Sequence, residues 1–94
     1  MKFIELVPEF LGTFVLVFSI LTTGNFLIIG LTMAAVVYLI GDLSGANINP
    51  VVSLVMLMNK TISIQKFYEY VIVQILGGIS AFYMYKLIIT NIRK

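Results

Sequence analysis

The chain has 94 residues, of which 61% are hydrophobic and 11% charged, and its net charge of +2 is small; this composition is typical of a membrane protein. It contains no cysteine and no histidine, and no nucleophile–base pair or metal-ligand cluster is visible, so we expect no disulfide, no metal, no cofactor and no enzyme. The few lysines and arginines form no basic run, which excludes nucleic acid as a partner.

Three stretches are apolar enough and long enough to cross a membrane, which takes about 20 residues. They are Phe3 to Leu21, Phe26 to Leu43 and Phe67 to Ile89. A tight polar turn joins the first two, and Asn59 to Lys66 is predicted as a polar link before the third. The first stretch could instead be a signal peptide, but Glu5 and Glu9 interrupt it and no clear cleavage site follows, so we expect it to remain. The sequence therefore predicts an all-α, multi-pass membrane protein.

A shorter apolar segment, Asn49 to Met58, follows a loop of small and polar residues, Ser44 to Ile48. Asparagine is a good helix N-cap and proline is favoured at the first helical position, so Asn49 and Pro50 should begin a helix. Its length of about 15 Å is roughly half of the hydrocarbon thickness. We predict a re-entrant loop and half-helix over 44–58. The alternative, a proline-kinked continuous helix, is disfavoured by the small residues before Asn49 and the short apolar run after it.

This half-helix points to a pore, because non-helical backbone inside a membrane is tolerated only where it is buried in protein or lines a watery cavity. The helix N-terminus would repel cations, and the Asn49 side chain could cap it and direct its NH₂ group at a solute. The carbonyl groups of Gly45, Ala46, Asn47 and Ile48 would form a ladder of acceptors. Such an arrangement suits a neutral, hydrogen-bonding solute.

The chain resembles one half of an aquaporin or aquaglyceroporin, members of the major intrinsic protein family. Ser44 to Leu54, SGANINPVVSL, is similar to the family signature S-G-A-H-x-N-P-A-V-T-L. Pro8 to Phe14 resembles the A-E-F-x-G-T-F that opens the family's first helix, and Gln74 to Gly78 resembles the Q-x-x-G-A of its third. Asn47 replaces the usual histidine, and Val51 replaces the alanine of N-P-A. The resemblance implies that residues 1–94 are a single half-repeat, whereas a full member has two inverted repeats.

The resemblance also implies which residues form the pore. Asn49, Pro50 and Val51 would be the pore-lining motif. The family's selectivity constriction falls on Ile29, Val37, Ala46 and Val52, with Val52 in the place of a cation-repelling arginine. A wide apolar ring would favour glycerol-like solutes over water, and a tight ring would nearly close the pore. On residue type alone, Ile29 and Val37 would be ordinary helix-packing residues.

Further residues inside the predicted spans are expected to hold the structure together. By resemblance, Glu9 would brace the re-entrant loop by accepting hydrogen bonds from its backbone; the alternative is a side chain that reaches the membrane surface. Asp42 is also expected to brace the loop. An interfacial aromatic belt is expected at Tyr68, Tyr70, Tyr83 and Tyr85. Small residues that let helices approach closely are expected at Gly12, Gly30, Gly77, Gly78 and Ala81.

One such half cannot enclose a pore, and it would leave the polar loop facing lipid. We therefore expect an antiparallel homodimer in which two Asn49 side chains meet on a two-fold axis at the midplane. Dual insertion needs balanced flanking charge. The balance is Lys2, Lys60 and Lys66 on one side against Lys86, Arg93 and Lys94 on the other. The expected function is passive passage of water or small neutral solutes, and by family analogy eight copies would form four pores. The alternative is a non-conducting half-channel that pairs with another aquaporin-like chain.

Overall fold

The structure, a computed structural model, describes residues 2–92 and contains helices and short connections. The helices are α1 (Phe3–Thr23), α2 (Phe26–Ser44), α3 (Pro50–Met58) and α4 (Ile64–Ile92). Helices α1, α2 and α4 are long and apolar enough to cross a membrane. Helix α3 has 9 residues and is about 14 Å long, less than half of the hydrocarbon thickness. The all-α fold class predicted from the sequence is confirmed.

The turn between α1 and α2 consists of the C-cap of α1 followed directly by the N-cap of α2. Gly24 adopts a left-handed conformation with φ 56°, and its N–H donates to the Ile20 carbonyl. The side-chain oxygen of Asn25 then accepts from the backbone N–H groups of Leu27 and Ile28 at 2.9 and 3.1 Å. These caps satisfy groups that the helix ends would otherwise leave unpaired. They allow two membrane-crossing helices to be joined by two residues.

Helix α4 begins earlier than the sequence suggests. The hydroxyl oxygen of Ser63 accepts the Lys66 N–H at 3.1 Å and so caps the helix, which places Ile64 to Lys66 in α4 and not in the link before it. At 29 residues the helix is about 44 Å long, so its ends extend beyond a hydrocarbon core of about 30 Å. Arg93 and Lys94, which contribute to the charge balance, lie outside the described residues.

Helix α1 packs against both α2 and α4, and α3 packs against α4. Helices α1 and α4 run parallel, because Glu5 contacts Lys66 and Glu9 contacts Gln74. By contrast, α2 and α3 do not contact each other, and no pair of their Cα atoms lies within 8 Å. These two helices therefore do not pack side by side within one chain.

Two of the small residues lie where helices approach most closely. A Cβ atom on Gly77 would be 2.6 Å from the carbonyl oxygen of Phe10, and one on Gly12 would be 2.8 Å from a methyl group of Ile40. The close approach predicted for these two positions is confirmed. The same expectation is wrong within one chain for Gly30, which is exposed and where a Cβ would have nothing within 4 Å.

Candidate functional site

The re-entrant loop has an unusual backbone. Gly45, Ala46 and Ile48 have φ angles of 86°, 49° and 44°, in the left-handed region that non-glycine residues rarely occupy. For a β-branched residue such as Ile48 this conformation is a real outlier. A left-handed conformation costs on the order of 1–3 kcal/mol for each non-glycine residue, and this conformation persists only when the surrounding structure imposes it. The loop therefore needs strong external support.

That support comes from the carboxylate of Glu9, which is completely buried. One carboxylate oxygen accepts from the Ser44 hydroxyl at 2.6 Å and from the Asn47 N–H at 3.0 Å. The other accepts from the Ile48 N–H at 2.8 Å and from the side-chain amide of Gln74 at 2.9 Å. Hydrogen bonds to an ionised group are about twice as strong as those between neutral groups. A single residue of α1 thus joins the end of α2, the loop and α4.

Ser53, on the half-helix, forms a second buried polar contact under the loop. Its hydroxyl oxygen accepts from the side-chain amides of Asn47 and Gln74 at 3.0 and 2.9 Å. The sequence reasoning gave Ser53 no role, although it stands at the threonine of the family signature. Serine and threonine both carry a hydroxyl, so the match between Ser53 and this threonine is the signal that could have identified it.

Tyr70 supports the loop as well and is not part of an aromatic belt. It is 1% exposed, and its hydroxyl donates to the Ser44 carbonyl at 2.7 Å. It lies four residues before Gln74, on the same inward face of α4. The belt assignment is therefore wrong for Tyr70, whereas Tyr68 and Tyr83 are exposed. The Asp42 side chain is exposed and has no hydrogen-bond partner among residues 2–92, so its bracing role is also wrong, and Ser44 takes that place.

The loop directs its donors inward and leaves its acceptors unpaired. The N–H of Ala46 donates to the Ser44 hydroxyl oxygen at 3.1 Å, and the next two N–H groups donate to Glu9. No donor in the described part of the chain bonds to the carbonyl oxygens of residues 45–48. The N–H groups of residues 46–48 are thus satisfied within one chain, whereas the carbonyl oxygens of this loop are not paired with any donor among the described residues.

The pore-lining motif lies at the N-terminus of α3. The Asn49 side-chain oxygen accepts the Val51 N–H at 2.7 Å, which is the N-cap that the sequence predicts, and Pro50 is the first helical residue. All three residues are exposed. The side-chain NH₂ group of Asn49 has no partner among residues 2–92, so it is available to a group outside the chain.

The four constriction residues do not form a ring within one chain. Ile29 and Val37 are on α2, Ala46 is in the loop and Val52 is on α3. Ile29 and Val37 are about 12 Å apart along their helix, and α2 does not contact α3. Ala46 is buried, Val37 is exposed, and Ile29 and Val52 are partly buried. The constriction remains a prediction, because one chain does not form the ring and a second chain would have to complete it.

Three helices long and apolar enough to cross a membrane, with a short fourth helix after a loop, define an integral, multi-pass membrane protein. Residues 22–94 match the family described as Major intrinsic protein. The chain belongs to this family, whose members are membrane channels and not enzymes.

Similar proteins come from bacteria and plants. The glycerol uptake facilitator protein-like 6 of Lactiplantibacillus plantarum is 39% identical, over 78% of this chain and 38% of its own length. Aquaporins NIP1-1 and NIP3-1 of Arabidopsis thaliana are 31% and 30% identical, each over 79% of this chain and over 30% and 27% of their own lengths. The chain thus spans about a third of the length of the curated relatives it matches. No solved structure matches it significantly.

Proposed function

We propose that the protein is a passive membrane channel for water or small neutral solutes such as glycerol, with its pore between two copies in opposite orientations. One observation carries the proposal: among residues 2–92, four loop carbonyls and the side-chain NH₂ group of Asn49 are left without partners. In hydrocarbon, each unsatisfied polar group costs several kcal/mol, so these groups require a watery lumen. The names of the relatives, a glycerol uptake facilitator and two aquaporins, support the same solute class.

In this mechanism a solute exchanges its water shell for protein groups one step at a time. Its O–H groups donate to the carbonyls of residues 45–48 as it moves inward. At the centre, the Asn49 NH₂ group donates to its oxygen, and the positive end of α3 repels hydronium and other cations. Two copies double these central groups. Val52 provides no fixed charge at the constriction, so the width of the apolar ring decides between glycerol and water.

The opposite wall is supplied by an inverted copy. Helices α2 and α3, which do not pack side by side within one chain, would face the same two helices of a second chain, and Ile29 of one copy would complete the ring formed by Val37, Ala46 and Val52 of the other. Such a contact is isologous. The three-to-three charge balance counted in the sequence lets both orientations insert. Four such pores built from eight copies follow from family analogy alone.

Solute flux tests the channel directly. We expect vesicles containing the purified chain to respond faster than empty vesicles, by light scattering, when sucrose and then glycerol is added outside. Asn49→Leu should abolish most of this flux, because it removes the central donor and adds bulk in the lumen. Asn91→Leu is the matched control, since Asn91 is exposed near the end of α4, and it should leave the flux unchanged.

Each alternative outcome of the flux measurement has a clear meaning. If the unmodified chain is no faster than empty vesicles, it does not form a channel by itself, and the alternative of a half-channel needing another aquaporin-like chain gains support. If Asn49→Leu conducts as well as the unmodified chain, Asn49 does not line the pore.

Membrane orientation tests the inverted pairing. A reporter fused after Lys94 should appear on both faces of the membrane, because the flanking charges are balanced. The substitutions Thr61→Lys and Gln65→Lys add positive charge beside Lys60 and Lys66 and should hold that side of the chain in the cytoplasm. All copies would then have one orientation, so vesicles that contain only this variant should show no flux. A reporter found on one face only, in the unmodified chain, would rule out the antiparallel homodimer.

A further inference from the structure

The side chain of Asn47 carries an oxygen atom, Oδ1, that accepts no hydrogen bond from residues 2–92. Its NH₂ group, by contrast, donates to the Ser53 hydroxyl oxygen at 3.0 Å. In the described part of the chain, the enclosed side-chain oxygen and nitrogen atoms that lack a partner are Thr13 Oγ1 and Gln74 Oε1. The Oδ1 atom of Asn47 is not one of them, so it is open to the outside of the chain, although the residue is only 5% exposed.

This oxygen lies beside Gly45, at the outer end of the re-entrant loop. A Cβ atom added to Gly45 would be 3.6 Å from Oδ1, and beyond its chain neighbours it would have no other atom within 4 Å. Gly45 is exposed and follows α2 directly, whereas Asn49 caps α3. The loop therefore runs from Gly45 to Asn49, and Oδ1 is an additional acceptor at the end where the row of loop carbonyls begins.

Ser53 determines which end of the Asn47 amide faces outward. Ser53 is 0% exposed, and its oxygen accepts from the side-chain amides of Asn47 and Gln74. Because the NH₂ group of Asn47 is held under the loop, the amide presents its oxygen to the open side. An amide oxygen accepts hydrogen bonds and donates none, so this position offers an acceptor in a fixed orientation.

We propose that Asn47 is a further solute-contacting residue of the channel, and that its Oδ1 accepts a hydrogen bond from a solute hydroxyl group beside Gly45. This inference rests on the proposed function. A water molecule that misses Oδ1 donates to the next water in the lumen. A polyol cannot do so, because its carbon atoms exclude neighbouring waters from a narrow passage and the wall must supply the acceptors for its hydroxyl groups. Oδ1 therefore favours a polyol over water.

The ratio of glycerol flux to water flux, measured in the same vesicles, tests this role. Asn47→Leu keeps roughly the size of the side chain and removes Oδ1. We expect it to lower the ratio by about two- to tenfold, the effect of one neutral hydrogen bond. Ser53→Ala is the matched control, because it removes the acceptor of the Asn47 NH₂ group and leaves Oδ1 in place, so it should keep the ratio of the unmodified chain.

The outcomes separate this role from the channel itself. An unchanged ratio in Asn47→Leu, including a loss of both fluxes in proportion, would overturn the role of Oδ1 and leave the channel standing. An equal fall of the ratio in both variants would do the same, since it would mean that Asn47 only supports the loop. If the unmodified chain conducts neither solute, the proposed channel is wrong and this role is wrong with it.

Access of water to position 47 can be measured without any flux. The chain has no cysteine, so Asn47→Cys introduces a single thiol. Its thiolate, which apolar surroundings disfavour, is the form that reacts with water-soluble methanethiosulfonate reagents. In membranes we expect its reaction to be faster than that of Ser53→Cys on the order of tenfold, because Ser53 is fully buried, and glycerol should slow it. Equal rates in the two folded variants would overturn the proposal.

Discussion

Replacing Glu9 by glutamine is expected to disrupt the re-entrant loop and to lower the free energy of unfolding by about 2–6 kcal/mol. The carboxylate accepts four hydrogen bonds. Glutamine keeps one acceptor oxygen and turns an NH₂ group toward donors at the other. Two buried donors then lose their acceptor, at about 1–3 kcal/mol each. The left-handed conformations of Ala46 and Ile48 would lose the bonds that impose them.

Glu5→Gln is the matched control for this variant. It removes the same charge from the same helix, but the ion pair of Glu5 with Lys66 is partly exposed and contributes about 1 kcal/mol or less. Unfolding in detergent by added denaturant, followed by circular dichroism, measures both variants. If Glu9→Gln costs no more than Glu5→Gln, the carboxylate does not brace the loop.

Replacing Gly77 by alanine is expected to separate α1 from α4. The added Cβ would lie 2.6 Å from the Phe10 carbonyl oxygen, and this backbone atom of a helix cannot rotate away as a side chain can. Overpacking of this kind costs about 1–3 kcal/mol. A further loss is expected because Gln74 lies one turn away, and its bonds to Glu9 and Ser53 depend on the same helix spacing.

Gly30→Ala is the control for the helix crossing. A Cβ there would have nothing within 4 Å, and alanine is favoured over glycine inside a helix by about 0.5–1 kcal/mol. This variant should therefore be as stable as the unmodified chain or slightly more stable in the same unfolding measurement. An equal destabilisation of both variants would mean that the α1–α4 crossing is not especially tight.

The buried polar contacts bear on how the proposed pore assembles. Glu9, Ser53 and Gln74 satisfy the loop's inward-facing groups within one chain, so the loop can take its shape before a second copy arrives. A partner then has to supply only the opposite wall and enclose the lumen. In the proposed dimer, folding of each half and closure of the pore are therefore separate steps.

Local features of the sequence were sufficient to predict the helices. Hydropathy over about 20 residues identifies a membrane-crossing helix, and the Asn49–Pro50 pair marks the start of α3 because capping involves only neighbouring residues. The same local chemistry explains an error, since the Ser63 cap starts α4 at Ile64, three residues before the apolar run begins at Phe67. The half-helix after a small, polar loop already pointed to a pore, and the resemblance to the family supplied the individual residues of the constriction.

The contacts that hold the loop could be found only from the packed helices. Glu9 meets Ser44 and Gln74 across separations of 35 and 65 residues, and those meetings depend on how each helix is rotated and where it crosses its neighbour. Nothing local distinguishes Tyr70, which is buried, from Tyr68, which is exposed, or Gly77 at a crossing from Gly30 beside open space. Length and apolar pattern set which segments enter the membrane, whereas the rotation of each helix sets which side chains meet, because burial in a bundle is a property of pairs of helices and not of any one of them.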